Sequence, residues 1–148
     1  MSLKERISED VKSAMRAKDS ARLGALRLLL AAIKQREVDE RIVLGDPEVI
    51  VVIDRMLKQR RDSIQQYEAA ARQDLADAEK FEVSVLKSYM PQPLTDAEID
   101  DEIARAIAQC EAKGLGDIGK VMALLKPALS GRADMGKVSA LVRARLSR

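Results

Sequence analysis

The pentapeptide Asp-x-Gly-Lys-Val occurs twice near the end of the chain, beginning at Asp117 and at Asp134. Each copy has the residue types of a helix start, because Asp is a preferred N-cap and the apolar periodicity begins directly after it. A first helical turn also presents backbone N–H groups and partial positive charge, and Gly119 and Gly136 would let an anion approach them. These residues are therefore suited either to helix capping or to contact with a phosphate.

Basic residues surround the two copies. From Gly116 onward, seven basic and two acidic residues give a net charge of +5, whereas residues 95–113 carry six acidic and two basic residues, or −4. Such segregation gives a small domain one face suited to phosphate. The candidate RNA contacts are the basic residues Lys120, Lys126, Arg132, Lys137, Arg143 and Arg145.

Composition argues against catalysis. The 148 residues include no histidine and one cysteine, so the usual proton shuttle, the Ser-His and Cys-His pairs and the commonest transition-metal ligand are all missing. We interpret Cys110 as a core thiol rather than a nucleophile, because no base is evident near it. We also expect no nucleotide-binding motif, neither a Gly-x-x-x-x-Gly-Lys-[Ser/Thr] loop nor a Gly-x-Gly-x-x-Gly sequence. We expect no catalytic residue, no cofactor and no metal site.

The N-terminus and the apolar runs predict a cytoplasmic protein. The opening residues are charged where a signal peptide would be apolar, and the longest apolar run, residues 28–33, is too short to span a bilayer. We therefore predict no contact with a membrane.

Four helices are predicted before residue 90. Ser2 and Glu5 fit a capping box for the first, and a cap signal at Asp19 begins the second. Residues 38–45 lose periodicity and are predicted to be a loop, after which Asp46 is the expected cap of the third helix. The β-branched run 49–53 favours a strand locally, but no second strand candidate exists, so we predict helix there as well.

The fourth helix is expected to begin near Gln73 and Asp74, with Phe81 on its apolar stripe. The basic run 58–61 is compatible with a solvated helix face or an RNA site, and its acidic neighbours favour the solvated face. A core of aliphatic side chains and Met is expected, since only three residues are aromatic.

Prolines mark a boundary after the fourth helix. Pro91 and Pro93 cannot both lie inside one helix, so we predict domains at residues 1–91 and 92–148. Thr95 and Glu98 form a capping box for the fifth helix, and Gly114 is the expected C-terminal cap. The two pentapeptides then start the sixth and seventh helices. The predicted fold is all-α, with an N-terminal four-helix bundle and a C-terminal three-helix bundle.

Four segments together resemble the YqeY proteins. They are the ending 117–122 with 131–134, the linker 89–94, the opening 10–19 and the middle stretch 57–68. The resemblance covers essentially the whole chain. It also implies that the C-terminal half is similar to the tail domain of the B subunit of tRNA-dependent Asp/Glu amidotransferase, a carbon–nitrogen ligase with glutamine as amido donor.

The resemblance implies a role at tRNA and none in catalysis. In that amidotransferase the tail helps to hold the tRNA, while glutamine hydrolysis and ATP-dependent activation belong to domains that this chain lacks. One hypothesis is a tRNA-binding module, associated with an amidotransferase or an aminoacyl-tRNA synthetase. The alternative is a protein–protein adaptor without RNA contact. In either case we expect the isolated chain neither to hydrolyse glutamine nor to consume ATP.

Overall fold

The computed structural model describes residues 1–147. Within them the chain forms seven α-helices and one turn of 3₁₀ helix, with no β-strand, so the all-α prediction is confirmed. The helices are α1 (Leu3–Arg16), α2 (Ser20–Glu40), α3 (Asp46–Ala69), α4 (Gln73–Lys87), α5 (Asp96–Cys110), α6 (Ile118–Leu129) and α7 (Met135–Leu146). The 3₁₀ turn is Leu115–Asp117. The chain divides into two compact units, Met1–Met90 and the residues from Pro91 onward.

The first unit holds α1 to α4 around an aliphatic core. Ile7, Leu26 and Ile53 come from three different helices and are fully buried, and Leu86 of α4 is 1% exposed. Each such side chain contributes about 1.5–3 kcal/mol through removal of apolar surface from water. The predicted aliphatic core is therefore present, with Tyr89 as its one buried aromatic residue.

Tyr89 fixes the end of the first unit to α1. Its hydroxyl donates a hydrogen bond to the Asp10 carboxylate, and the Arg6 guanidinium lies 5.0 Å from the centre of its ring. Burial, followed by the hydrogen bond to Asp10, raises the pKa of the Tyr89 hydroxyl. Because the phenol stays protonated, it remains a donor to the carboxylate over the ordinary pH range.

The loop predicted at residues 38–45 is shorter than expected. Helix α2 continues to Glu40 and ends at Arg41, which adopts a left-handed conformation (φ 55°). Within the last turn of α2, Glu37 accepts hydrogen bonds from the Lys4 ammonium at 2.6 Å and from the backbone N–H of Leu44 at 2.8 Å. These contacts, the bond from Lys4 first, lower the pKa of Glu37. The bonds to Glu37 fix the turn into α3, which sequence periodicity alone did not show.

Asp46 is not the cap of α3. The cap is Gly45, whose N–H donates to the Glu48 carboxylate at 3.1 Å, while Asp46 accepts a bond from the backbone N–H of Leu3 at 2.9 Å. Residues 49–53 are helical, as predicted, and Val49 and Ile53 are fully buried. Burial against neighbouring helices thus overrides the strand preference of β-branched residues.

Helices α3 and α4 also meet through charged side chains. Arg60 Nε lies 2.8 Å from Glu82 Oε2 and 3.3 Å from Glu79 Oε2. Desolvation raises the pKa of Glu82, although the attraction of Arg60 opposes the shift. Arg60 therefore does not belong to a solvated face, whereas Phe81, which was expected in the apolar stripe, is 40% exposed.

The second unit packs α5, α6 and α7 around its own core. Ile103, Val121, Val138 and Val142 are fully buried in one cluster. Thr95 and Glu98 form the predicted capping box at the start of α5. The N–H of Leu94 donates to the carbonyl of Arg132 at 2.9 Å. That bond fixes the segment before α5 to the turn between α6 and α7.

The predicted C-terminal cap of α5 is wrong. The last helical residue is Cys110, and the helix is capped by Glu111, three residues before Gly114, in the left-handed conformation (φ 54°). Gly114 instead has extended backbone and precedes the 3₁₀ turn. Cys110 is partly buried against the second core, and its thiol donates to the carbonyl of Ile107 at 3.9 Å.

Candidate nucleic-acid interface in the second unit

The second pentapeptide starts its helix with a side-chain cap. The Asp134 carboxylate accepts hydrogen bonds from the backbone N–H groups of Gly136 at 2.9 Å and Lys137 at 3.4 Å. A Cβ at Gly136 would lie 3.3 Å from the same carboxylate, so the cap is close-fitting. Because the carboxylate occupies these N–H groups, an anion has no access to them without displacing Asp134.

The first pentapeptide starts its helix in a different way. Asp117 stands at the cap position of α6 but makes no capping hydrogen bond. Its carboxylate accepts from the backbone N–H of Lys113 at 2.9 Å. The reason is the 3₁₀ turn that runs into α6, in which the Leu115 carbonyl accepts from the N–H of Ile118. The expectation that Asp117 caps its helix by its side chain is corrected accordingly.

Asp117 therefore stabilises the loop between α5 and α6. The hydrogen bond from the N–H of Lys113, and to a lesser extent the charge of Lys120, lower the pKa of the Asp117 carboxyl. Lys120 Nζ lies 3.7 Å from Asp117 Oδ1. The Asp117 carboxylate therefore points into the loop, between the Lys120 side chain and the backbone of Lys113.

Three of the six candidate cations contact groups of the second unit. Lys120 pairs with Asp117, and Lys137 Nζ lies 3.2 Å from Asp96 Oδ1 at the start of α5. Arg132 donates from Nε to the carbonyl oxygen of Gln92 at 3.3 Å. Both lysine side chains stay more than half exposed, and exposed pairs of this kind contribute only about 0–1 kcal/mol. An incoming phosphate could therefore compete for either lysine.

The other three candidate cations have no carboxylate within 4.0 Å among residues 1–147. Lys126 is exposed in the last turn of α6. Arg143 is exposed and Arg145 half-buried in the last turn of α7. All three also lie where a cation complements the helix dipole, which is a purely structural reason for their positions.

The six cations do not form one stripe. Lys126 precedes the turn into α7, whereas Arg143 follows that turn by roughly 14 Å along the helix axis. Arg143 and Arg145 are two residues apart, so they point to different sides of α7. A ligand that contacts all of these residues must be larger than a nucleotide.

Sequence reasoning missed two features of this surface. Lys113 was grouped with the acidic helix before it, although it belongs to the loop that Asp117 organises. The same loop carries a Gly-x-Gly-x-x-Gly spacing at Gly114, Gly116 and Gly119, which is the signal that would have drawn attention to it. In dinucleotide-binding domains that spacing follows a strand, whereas here it follows α5.

Within residues 1–147, His, Cys, Asp and Glu form no group of three or more that could hold a metal ion. No helix in that part of the chain combines the length and the apolar character required to cross a bilayer.

Comparison with known proteins shows which sequences this chain is similar to. A family profile described as "Yqey-like protein" matches residues 4–146. A protein named "Altered inheritance of mitochondria protein 41, mitochondrial" from Pyrenophora tritici-repentis is 28% identical over 129 residues, which cover 86% of this chain and 71% of that protein. Proteins of the same name are 33% identical over 95 residues in Candida glabrata and 35% identical over 92 residues in Saccharomyces cerevisiae strain YJM789.

The fold and these matches together identify the family of this chain. The fold and the surface are those of a helical module with two units and a basic C-terminal segment. The chain belongs to the YqeY-like family, as its resemblance in sequence indicated. The aligned regions cover 62% of this chain in the two yeast comparisons, and the chain spans about half the length of those relatives.

Proposed function

We propose that the chain is a non-catalytic binding module for structured RNA, most simply tRNA. The observation that carries this proposal is the +5 net charge from Gly116 onward. In that segment Lys126, Arg143 and Arg145 have no carboxylate partner among residues 1–147. Phosphate contacts supply most of the affinity in sequence-independent binding to nucleic acid.

The composition of the second unit indicates how RNA would be recognised. From Pro91 onward the sequence has no Phe, Tyr or Trp, so bases cannot stack on aromatic side chains there. Recognition would then rely on the phosphate backbone and on the shape of a folded RNA.

A charge-reversal experiment tests this proposal. The double variant Arg143→Glu, Arg145→Glu should bind labelled tRNA at least about tenfold more weakly than the unaltered chain, since two phosphate contacts become repulsive. The matched control is Arg16→Glu, Arg27→Glu, which makes the same charge change at two exposed positions on α1 and α2. Equal loss of affinity in both variants would show a nonspecific charge effect and would contradict a site in the second unit.

We also propose that any link to amide formation is indirect. The resemblance to an amidotransferase tail domain supports a role in presenting tRNA to such an enzyme or to an aminoacyl-tRNA synthetase. The isolated chain is then expected to release no ammonia from glutamine and to consume no ATP. Steady turnover by the pure chain, lost on mutation of one of its own residues, would overturn the non-catalytic assignment.

A protein adaptor is the second candidate function, and one observation favours it. Val38, Ile42 and Val43 are 63%, 45% and 83% exposed at the end of α2 and in the turn that follows. Three exposed apolar side chains so close in sequence are suited to contact with a protein surface. If captured partners survive nuclease treatment and the basic residues of the second unit can be reversed without loss, the adaptor function is favoured.

A further inference from the structure

Residues 114–119, called the basic loop below, lie between α5 and the first turn of α6. Lys113 and Lys120 flank this loop, and both are exposed. The Asp117 carboxylate, which would repel a phosphate, accepts a hydrogen bond from the backbone of Lys113 and lies near the Lys120 ammonium. The loop is also ordered by its own backbone, since the N–H of Asp117 donates to the carbonyl of Gly114 at 2.9 Å. An ordered loop with two cations needs little rearrangement to bind.

The fold explains some glycines of the chain and not others. Gly131 has a positive φ of 78°, and a Cβ at Gly45 or Gly136 would lie 3.2 or 3.3 Å from a carboxylate oxygen. The remaining four have no positive φ, and a Cβ on any of them would meet nothing within 4 Å. These four are Gly24, Gly114, Gly116 and Gly119.

Three of these four unexplained glycines lie in the basic loop. Neither backbone conformation nor internal packing requires Gly114, Gly116 or Gly119, and glycine carries an entropic cost on folding. What glycine does provide is a bare backbone, which an external group can approach more closely than it could approach alanine. In phosphate-binding loops, glycines at similar spacing let the backbone reach the phosphates.

We infer that residues 113–120 are a contact point for the RNA phosphate backbone, with Lys113 and Lys120 supplying charge and the three glycines allowing close approach. This inference rests on the proposed function and adds to it Lys113 and the glycines. A free nucleotide is a poorer fit, because no strand precedes the loop and the other cations of the second unit lie on α6 and α7. A protein partner is the competing class, since Leu115 at the centre of the loop is 52% exposed.

The direct test is the full chain with Gly114→Ala, Gly116→Ala and Gly119→Ala combined. Its melting temperature should equal or exceed that of the unaltered chain, because alanine fits without a clash and restricts the unfolded state. Its affinity for labelled tRNA should fall about tenfold, the equivalent of one lost contact. The matched control is Gly24→Ala, an equally unobstructed glycine on α2, which should leave tRNA affinity unchanged.

A second variant measures the charge of the loop. Lys113→Gln with Lys120→Gln should reduce the slope of log affinity against log salt by about one for each lysine. A glycine effect on affinity together with this change in slope would support the inference.

Each contrary result has a distinct meaning. If the unaltered chain binds tRNA and the triple alanine variant binds it equally well, the loop inference fails while the proposed function stands. If the triple variant melts at a lower temperature, the fold itself requires the glycines and the inference also fails. If the unaltered chain binds no RNA, the proposed function and the inference fail together. Loss in the triple variant of a protein partner that resists nuclease would overturn the assignment to RNA.

Discussion

The two Asp-x-Gly-Lys-Val segments each begin a helix of the second unit, but their aspartate side chains make different contacts. At Asp134 the side chain caps two N–H groups of its own helix. At Asp117 the side chain turns back to the loop, and a 3₁₀ turn leads into the helix. The four shared positions of the pentapeptide are compatible with both arrangements, so residues outside those four positions decide which one forms.

Some positions of the pentapeptide have the same surroundings in both copies, and other positions do not. The valine at the end of each copy is fully buried in the same core, as Val121 and Val138. The glycine is unobstructed at Gly119 and close to the capping carboxylate at Gly136. Substitutions at matched positions should therefore agree at the valines and disagree at the glycines and aspartates.

The largest expected effect is the one that the two copies share. Val121→Ala and Val138→Ala should each lower the free energy of unfolding by about 2–3 kcal/mol, from lost apolar burial and the cavity left behind. Chemical denaturation followed by circular dichroism measures both. A difference of more than about 1 kcal/mol between them would mean that the two helix starts are not equivalent in the core.

Replacement of the two aspartates by alanine should destabilise different parts of the second unit. Asp134→Ala should cost about 1 kcal/mol through the lost cap of α7, and Asp134→Asn should recover most of it. Asp117→Ala should cost less than Asp134→Ala, because an exposed loop hydrogen bond is lost rather than a helix cap. Amide exchange should accelerate at Gly136 and Lys137 in the first variant and at Lys113 in the second. Faster exchange throughout α6 in the Asp117 variant would show that Asp117 caps that helix after all.

Alanine at the two glycines should change stability by different amounts. Gly119→Ala should raise the free energy of unfolding by about 0.4–1 kcal/mol, because the site is open and alanine restricts the unfolded chain. Gly136→Ala should gain less or lose stability, since the new Cβ would lie 3.3 Å from Asp134 Oδ1. Thermal melts of the two single variants give the comparison, and equal gains would contradict a close-fitting cap at Asp134.

The smallest expected effect is on the pH dependence of stability. Because the pKa of Asp117 is lowered below its ordinary value of 3.8, this group stabilises the fold above that value. The contribution disappears as the pH falls through the lower pKa of the folded state. Asp117→Asn should therefore flatten the acid limb of a stability profile slightly. An acid limb as steep as that of the unaltered chain would show that Asp117 does not contribute to the pH dependence of stability.

Sequence patterns predicted the kinds of element better than their ends. Helical spacing correctly outweighed the strand preference of residues 49–53, because burial at Val49 and Ile53 follows a helical period. The ends of α2 and α5 were misplaced, since Arg41 and Glu111 end them in left-handed conformations usually taken by glycine or asparagine. The domain bounds of residues 1–91 and 92–148 stay a prediction.

The candidate site shows the same limit at the level of single side chains. The sequence identified the basic segment, but it could not show that Lys137 pairs with Asp96, 41 residues earlier in the chain. Nor could it show that Asp117 turns to the loop, which depends on the 3₁₀ turn before α6. Contacts of this kind follow from packing between helices and have no local sequence signal.

The most direct test of the central claim is a salt-dependent titration of labelled tRNA with the full chain. At about 50 mM salt we expect saturable binding, and at about 200 mM a large loss of affinity. With at least three cations neutralising phosphates, log affinity should fall against log salt with a slope of about −2 or steeper. No detectable binding at the lower salt, or binding that does not change with salt, would contradict a phosphate-contacting role for the second unit.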